Sequence, residues 1–362
     1  MSNAESLPAL VRPSAQSRAL VAPASAIDRA LAALVQPLDN VRDVVAALRQ
    51  LCAAGLDQLP LPAGGETLER WQTLSAVAAH DLSLAKLYEG HTDAIAIAWE
   101  LDDKPLPAHT LWGVWAAESS SARLSVDAVE NADGANVGPV HVTGRKSWCS
   151  GAAELTHALV TAWDQRQRQQ LVAVSLRQPG VIVTDEGWQG EGMRATASVD
   201  VVFERAQARA VGAPDAYTSR PGFWHGGAGI AACWYGAAAS LGQALARQVA
   251  RKPEPHAAAH LGAVDVALAQ CRALLAELAA YIDDDPFAPA QRLALRARAA
   301  AEAAADAVLH HTGRALGAYA FCRDAHFARM ACDLPVFLRQ SHAERDLASL
   351  GTLAAAEAQW AL

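Results

Sequence analysis

The chain has 362 residues, of which 52% are hydrophobic and 19% charged, so it has ample material for a large core and is neither disordered nor a simple coiled coil. A formal net charge of -8 argues against a protein whose main task is gripping nucleic acid through a basic face. Six cysteines, scattered without a CxxC pair, read as reduced thiols of a cytoplasmic protein rather than a disulfide frame or a zinc cluster.

Residues 1–26 mix Pro, Ser and Ala with isolated Arg and have no continuous apolar stretch, the pattern of a flexible N-terminal arm rather than a signal peptide. From Ile27 the spacing is helical. Ile27, Leu31, Leu34 and Val35 recur every three or four residues, and Val41, Val44, Leu48 and Leu51 repeat the pattern after Asp39-Asn40. Leu59 to Gly65, with two prolines and two glycines, must be a loop. A further helix is expected from Thr67 to about Glu89.

The texture changes after Pro105. Short β-prone runs follow at 113–115, 137–142, 155–161, 170–175, 181–184 and 198–203, separated by Gly, Asn and Asp, which predicts an all-β module. From Pro221 the chain is helical again and rich in Ala. The apolar run Ala228 to Leu241 is too short to span a bilayer and reads as a buried helix. Leu261, Val264, Leu268, Cys271, Leu275, Leu278 and Ile282 alternate steps of three and four, the seam of a bundle helix. Asp283-Asp284-Asp285-Pro286 ends that helix, and another is expected from Ala290 to about Leu316. The expected organisation is therefore an α+β chain with a helical domain over 27–108, a β-domain over 109–216 and a C-terminal helical bundle over 217–362.

Several motifs have ordinary explanations. Gly227-Ala228-Gly229-Ile230-Ala231-Ala232 spells GxGxxA, but no strand precedes it, so it reads as a closely packing helix start rather than a dinucleotide loop. His256 and His260 are spaced to share a helix face, yet no HExxH pattern or acidic partner accompanies them, and no metal site is expected. His310-His311 reads as a solvated helix face. More informative is Gly144 to Ala152, where Trp148 beside a hydroxyl residue and a small-residue turn could offer a flat wall and a hydrogen-bond donor to a planar heterocycle, or equally be a core Trp before an ordinary turn.

With GRKSWCSGAAELTHALVTA, Gly192-Met193-Arg194-Ala195-Thr196-Ala197, Arg314 to Phe321 and Ala328 to Asp333 in order, the chain resembles the acyl-CoA dehydrogenase superfamily over most of its length from about Ile27. The resemblance implies an N-terminal helical domain, a central β-barrel or sandwich domain and a C-terminal four-helix bundle. It also implies a homodimer or homotetramer, with FAD between the β-domain and the bundle and part of each site supplied by a neighbouring subunit. It puts Trp148 against the isoalloxazine and Ser150 as a donor near the flavin N5 and O4 edge. Arg251 would lie at the pyrophosphate, and Arg314, with Gly317, near the adenosine end. Glu118 falls roughly in the family's TEPxxGS segment, of which little is kept.

The departures bear on function. The position of the family's catalytic Glu, eight residues after Asp333, holds Ser341, which cannot take an α-proton unaided. His225, on the first bundle helix, or His342 could serve as base instead. Gly226 replaces the adjacent Arg that in the family contacts the CoA nucleotide. The expected activity is FAD-dependent oxidation of an acyl thioester or similar small molecule, with a flavoprotein electron acceptor or a reductase as partner. The alternatives are a flavin monooxygenase, which members of this fold lacking the Glu include, and a non-catalytic descendant.

Overall fold

The computed structural model describes residues 25–118, 122–127 and 139–357; the expected N-terminal arm lies almost wholly outside them. The described residues begin with four helices: α1 (Ala26–Ala32), α2 (Val41–Ala53), α3 (Thr67–His80) and α4 (Leu82–Asp102). Ser25 and Asp28 cap the first reciprocally, and the Asn40 side chain caps the second. The single helix expected from Thr67 to Glu89 is in fact two. Apolar spacing continues across the junction, but Asp81 adopts an extended backbone and its carboxylate accepts the Leu84 N–H at 2.8 Å, ending α3 and starting α4.

Seven strands follow: β1 (Trp112–Trp115), β2 (Leu124–Asp127), β3 (Pro139–Cys149), β4 (His157–Trp163), β5 (Gln169–Ser175), β6 (Val181–Val183) and β7 (Val199–Val211). Pairing runs β4-β2-β3-β7-β5 and returns to β4, closing a barrel, with β1 continuing along β4 and β6 along β7. β2 has no counterpart among the expected runs, and residues 137 and 138 of one expected run lie outside the described residues. Strands β3 and β7 are longer than expected because each bends without ending. Their antiparallel register shifts between Val142 and Gly144 and again between Lys146 and Cys149. At the first shift Gly144 has φ +128°, and a Cβ there would lie 2.3 Å from the Arg123 carbonyl oxygen, so no other residue fits.

The C-terminal half is helical: α5 (Ala216–Ser219), α6 (Gly222–Arg251), α7 (Pro255–Asp284), α8 (Gln291–Arg323), α9 (Ala325–Phe337) and α10 (Glu344–Glu357). Helices α6 to α9 form the bundle, α10 lies on α8, and α3 packs along α6. The GxGxxA segment is inside α6, and the Ala228 to Leu241 run is its buried face. The α7 seam faces inward, with Val264, Cys271, Leu275, Leu278 and Ile282 buried. α8 outruns its expected end at Leu316 by turning sharply at Gly317, whose φ is +60°. The Asp283 carboxylate does more than end α7: it accepts the Thr67 N–H at 3.0 Å and the Thr67 hydroxyl at 2.6 Å, tying α7 to the start of α3. All six cysteines are free, though Cys322 and Cys332 are exposed. Among the described residues no helix is long and apolar enough to cross a membrane.

Helices α3 and α6 cross at backbone contact, since a Cβ on Gly236 would sit 2.1 Å from the Ser75 carbonyl oxygen. Both atoms are held by their own helices, so neither can yield cheaply. Gly236→Ala is expected to lower the free energy of unfolding by about 2–3 kcal/mol. Urea denaturation followed by circular dichroism measures it, and an unchanged midpoint would show that the helices separate freely there.

Candidate active site

Trp148 owes its position to the second register shift. It lies in the bulge, with φ +58°, so it leaves the β3 ladder and the residue is 48% exposed. Two residues on, Ser150 is buried and its hydroxyl is 2.7 Å from that of Ser198. Ser198 in turn lies 2.8 Å from the Thr196 hydroxyl, which reaches the Met193 carbonyl oxygen at 2.8 Å. Gly151 N–H donates to Thr196 O at 2.8 Å, so the end of β3 and the Met193–Ser198 turn form one corner of the barrel.

That corner is fastened to the bundle. Met193 N–H donates to Asp333 Oδ1 at 2.6 Å, and Gly192 is pressed against α9, where a Cβ would lie 2.5 Å from Cys332 O. Arg329 completes the fastening. Its guanidinium is 3.6 Å from Asp333, 3.3 Å from Asp81 and 3.1 Å from Asp39, and it also donates to Leu38 O.

Beyond α9 the chain returns to α6. Arg298, stacked over the Trp234 ring at 4.9 Å, donates to Gly227 O at 2.7 Å and to Gln340 O at 3.1 Å. This bracket places the Ser341 segment beside the first turns of α6, which carry His225. His225 is buried and its Nε2 has no hydrogen-bond partner among the described residues. Burial, with Arg220 adding to it and Glu100 and Asp283 opposing, holds its pKa below the ordinary histidine value, so the ring is neutral at pH 7. The Ser341 hydroxyl accepts the Ala343 N–H at 3.0 Å. His342 is different: it is exposed, and its ring and N–H both face Asp346, at 3.3 and 3.1 Å, at the start of α10.

Arg251 and Arg314 are exposed at the far end of the bundle. Arg251 follows His225 by twenty-six residues of one continuous helix, about 39 Å at 1.5 Å per residue. The two ends cannot meet one small molecule within a single chain. Glu118 does not face the corner either. Its Oε1 accepts from Lys146 Nζ at 2.9 Å and from the Thr161 hydroxyl at 2.8 Å, and its Oε2 from the Trp163 indole N–H at 3.1 Å. Burial pushes the Lys146 pKa down, which the Glu118 carboxylate offsets. The Ser119–Ser121 part of that segment lies outside the described residues.

Sequence reasoning missed Ser198, Thr196, Arg298 and Asp93. The hydroxyl pair was visible only as a Thr-Ala-Ser triplet after the Met193 turn. Asp93 gave no signal of its own, since it follows the polar run Glu89-Gly90-His91-Thr92 in α4. It packs on Gly226, where a Cβ would lie 2.9 Å from its Oδ1, so a longer side chain at 226 has no room unless Asp93 moves.

Two other clusters have the composition of metal sites. Cys52, Asp57 and His91 hold their donor atoms within 4.8 Å of one another. But His91 Nδ1 accepts the Trp112 N–H at 3.3 Å, which leaves the ring proton on Nε2, facing Asp57 at 3.3 Å. A metal would need that Nε2 lone pair, and burial pushes the Cys52 thiol up to about 12. The cluster works as a tether from α4 to β1 and the α2–α3 loop. His260 and His311, the second of them expected on a solvated helix face, place their Nδ1 atoms 2.9 Å apart. Their ring centroids are 5.2 Å apart, as far as a straight N–H···N arrangement allows, so they share a proton rather than converge on an ion.

No family model and no curated protein matches the chain. Solved structures do. KijD3, in complex with FMN and dTDP-3-amino-2,3,6-trideoxy-4-keto-3-methyl-D-glucose, superposes with a TM-score of 0.73 at 18% identity, covering 92% of this chain and 91% of its own. Methanesulfinate monooxygenase MsuC from Pseudomonas fluorescens gives 0.70 at 19%, covering 91% and 99%. Dibenzothiophene monooxygenase TdsC from Paenibacillus sp. A11-2 gives 0.68 at 19%, covering 86% and 89%. The chain has the acyl-CoA dehydrogenase fold. Within that fold, the Trp148 corner belongs to the barrel and the His225–Ser341 bracket to the bundle, with α9 joining them.

A flavin ring fits the corner on two observations: an exposed indole face on the barrel rim, and a buried hydroxyl directly behind it. Arg251 and Arg314 fit a nucleotide half only if it belongs to a ring seated in a second copy of the chain.

The neutral, buried His225 has a consequence for stability. Its folded pKa lies below the unfolded value of about 6.5, so it contributes stability above that pH and loses it as the pH falls through the folded pKa. His225→Gln is expected to flatten the loss of urea stability between pH 7.5 and 5.5, and an identical slope in both proteins would show that His225 charges freely in the folded state.

Proposed function

We propose that the protein is a flavin-dependent oxidoreductase of the oxygen-using, monooxygenase kind, with FAD or FMN seated against Trp148. The observation that carries this reading is the exposed Trp148 indole, thrown off the β3 ladder immediately before the buried Ser150 hydroxyl. The similar structures support it: KijD3 and TdsC were solved with FMN, and MsuC and TdsC are monooxygenases. When bound, the flavin supplies two-electron chemistry and, once reduced, reaction with oxygen.

The chain's own residues do the rest. Trp148 gives the ring a flat wall, and Ser150 meets its polar edge. His225, neutral at pH 7 and with its Nε2 uncommitted, is equipped to take a proton from substrate. Ser341 stands where a dehydrogenase would place its carboxylate, and a serine hydroxyl is no base near neutral pH. Gly226 brings no cation to the His225 turn at the position where the resemblance has the CoA-contacting Arg, which disfavours a CoA nucleotide there. An external flavin reductase is the partner this chemistry requires, and a second copy of the chain would bring Arg251 and Arg314 to the nucleotide half of the cofactor.

A second reading, acyl-type dehydrogenation with His225 as base, rests on that same uncommitted Nε2. The two separate in one experiment. Purified protein is expected to be yellow or to take up added flavin. With a flavin reductase and reduced nicotinamide it should consume oxygen faster when substrate is present, and His225→Ala should lower that rate by about 10²-fold or more. Bleaching of the oxidised flavin by an acyl thioester without a reductase would favour the second reading. A colourless protein that takes up neither flavin would refute both.

A further inference from the structure

Behind Ser150 the three hydroxyls form a wire with a direction. Ser150, Ser198 and Thr196 are each at most 7% exposed, so no bulk water completes their bonds. There are three short contacts: Ser150 to Ser198 at 2.7 Å, Ser198 to Thr196 at 2.8 Å, and Thr196 to the Met193 carbonyl at 2.8 Å. Each hydroxyl owns one hydrogen and the carbonyl owns none. All three contacts are satisfied together in one arrangement only: Ser150 donates to Ser198, Ser198 to Thr196, and Thr196 to Met193 O. In that arrangement Ser150 has no hydrogen left for a ligand and presents lone pairs alone.

For Ser150 to donate outward, the wire must reverse. Ser198 then donates to Ser150 and Thr196 to Ser198, and Met193 O gives up the Thr196 hydroxyl while keeping the Thr196 N–H at 3.0 Å. The hydroxyl bond is not replaced by a shift of the carbonyl, because Met193 N–H is held by Asp333 at 2.6 Å and Met193 sits at φ +59° in a buried turn. Ser150 is thus an acceptor at no cost and a donor at the cost of one buried hydrogen bond.

The ring proposed to lie against this corner changes its need in the same sense. Oxidised flavin N5 carries a lone pair and accepts a hydrogen bond, whereas reduced flavin carries a hydrogen on N5 and donates one. We propose that the Ser150–Ser198–Thr196 wire is a redox-linked hydroxyl relay that favours the reduced cofactor: it runs inward when the flavin is reduced and is forced outward when the flavin is oxidised. No proton changes owner; three hydroxyls rotate together. Ser198 and Thr196 are positioning residues that act through Ser150. The inference rests on the flavin reading of the previous section.

The test is the midpoint potential of the bound flavin, measured by dye-coupled reduction of the holoprotein, together with the dissociation constant of oxidised flavin. In Ser198→Ala and in Thr196→Val, the Thr196 hydroxyl bond to Met193 O is no longer given up selectively in the oxidised state. Both variants are therefore expected to lower the reduced-to-oxidised ratio at a fixed potential by about three- to tenfold, the worth of one hydrogen bond. Oxidised flavin should bind at least as tightly as in the unmodified protein. Thr196→Ser, which keeps the wire, should restore the potential. In a Ser150→Ala background, Ser198→Ala should have no further effect.

Flavin bound with an unchanged potential in both variants would overturn the relay and leave the flavin reading intact. So would equal shifts with and without Ser150. A protein that binds no flavin at all would overturn the functional reading and the relay with it. Thermal denaturation of each variant separates these outcomes from misfolding, and Thr196→Val and Ser198→Ala must agree in direction for the relay to stand.

Discussion

The arrangement depends on Arg329 and Asp333, one helical turn apart on α9. Asp333 takes a backbone N–H from the barrel, while Arg329 reaches Asp81 at the start of α4 and Asp39 with Leu38 at the approach to α2. Burial raises the Asp333 pKa, and the Met193 N–H and Arg329 oppose it. A carboxylate removed from water in this way is costly unless every oxygen has a partner. Here Asp333 is partnered by the barrel and by Arg329, and Arg329 by the N-terminal segments, so the pair fixes the relative position of the N-terminal helices, the barrel and the bundle. The Trp148 corner and the Ser341 segment are both positioned from that point.

How much of this could be read from the sequence depends on how local each cause is. The α7 seam was legible because Val264 to Ile282 repeat with the helix period and lie on the buried face. The junction at Asp81 was not, since the apolar pattern passes through it and only the side-chain cap reveals the break. β2 escaped notice because four residues of alternating burial give almost no periodic signal. β3 and β7 were truncated because a bulge resembles an ending when only strand propensity is available. Trp148 was legible as a residue of interest, but its exposure comes from a register shift that no local pattern contains.

The candidate site divides in the same way. His225, Ser341, Trp148 and Ser150 follow from spacing within recognisable segments. The groups that give them meaning, Arg298 bridging Gly227 to Gln340 and the Thr196–Ser198 pair behind Ser150, are joined across 42 to 71 residues of sequence. His342 shows the converse: its sequence neighbourhood suggested chemistry, and its side chain is occupied with Asp346 at a helix start.

Helix α6 runs unbroken from Gly222 to Arg251, and at Gly236, near its middle, its backbone meets that of α3. It therefore has the mechanics of a rod on a pivot. A tilt of five degrees about that point would carry each tip by about 2 Å in opposite directions, given the length implied by 1.5 Å per residue. Whatever docks against the Arg251 tip thus has a stiff mechanical link to the turn that carries His225, with no intervening loop to absorb the displacement.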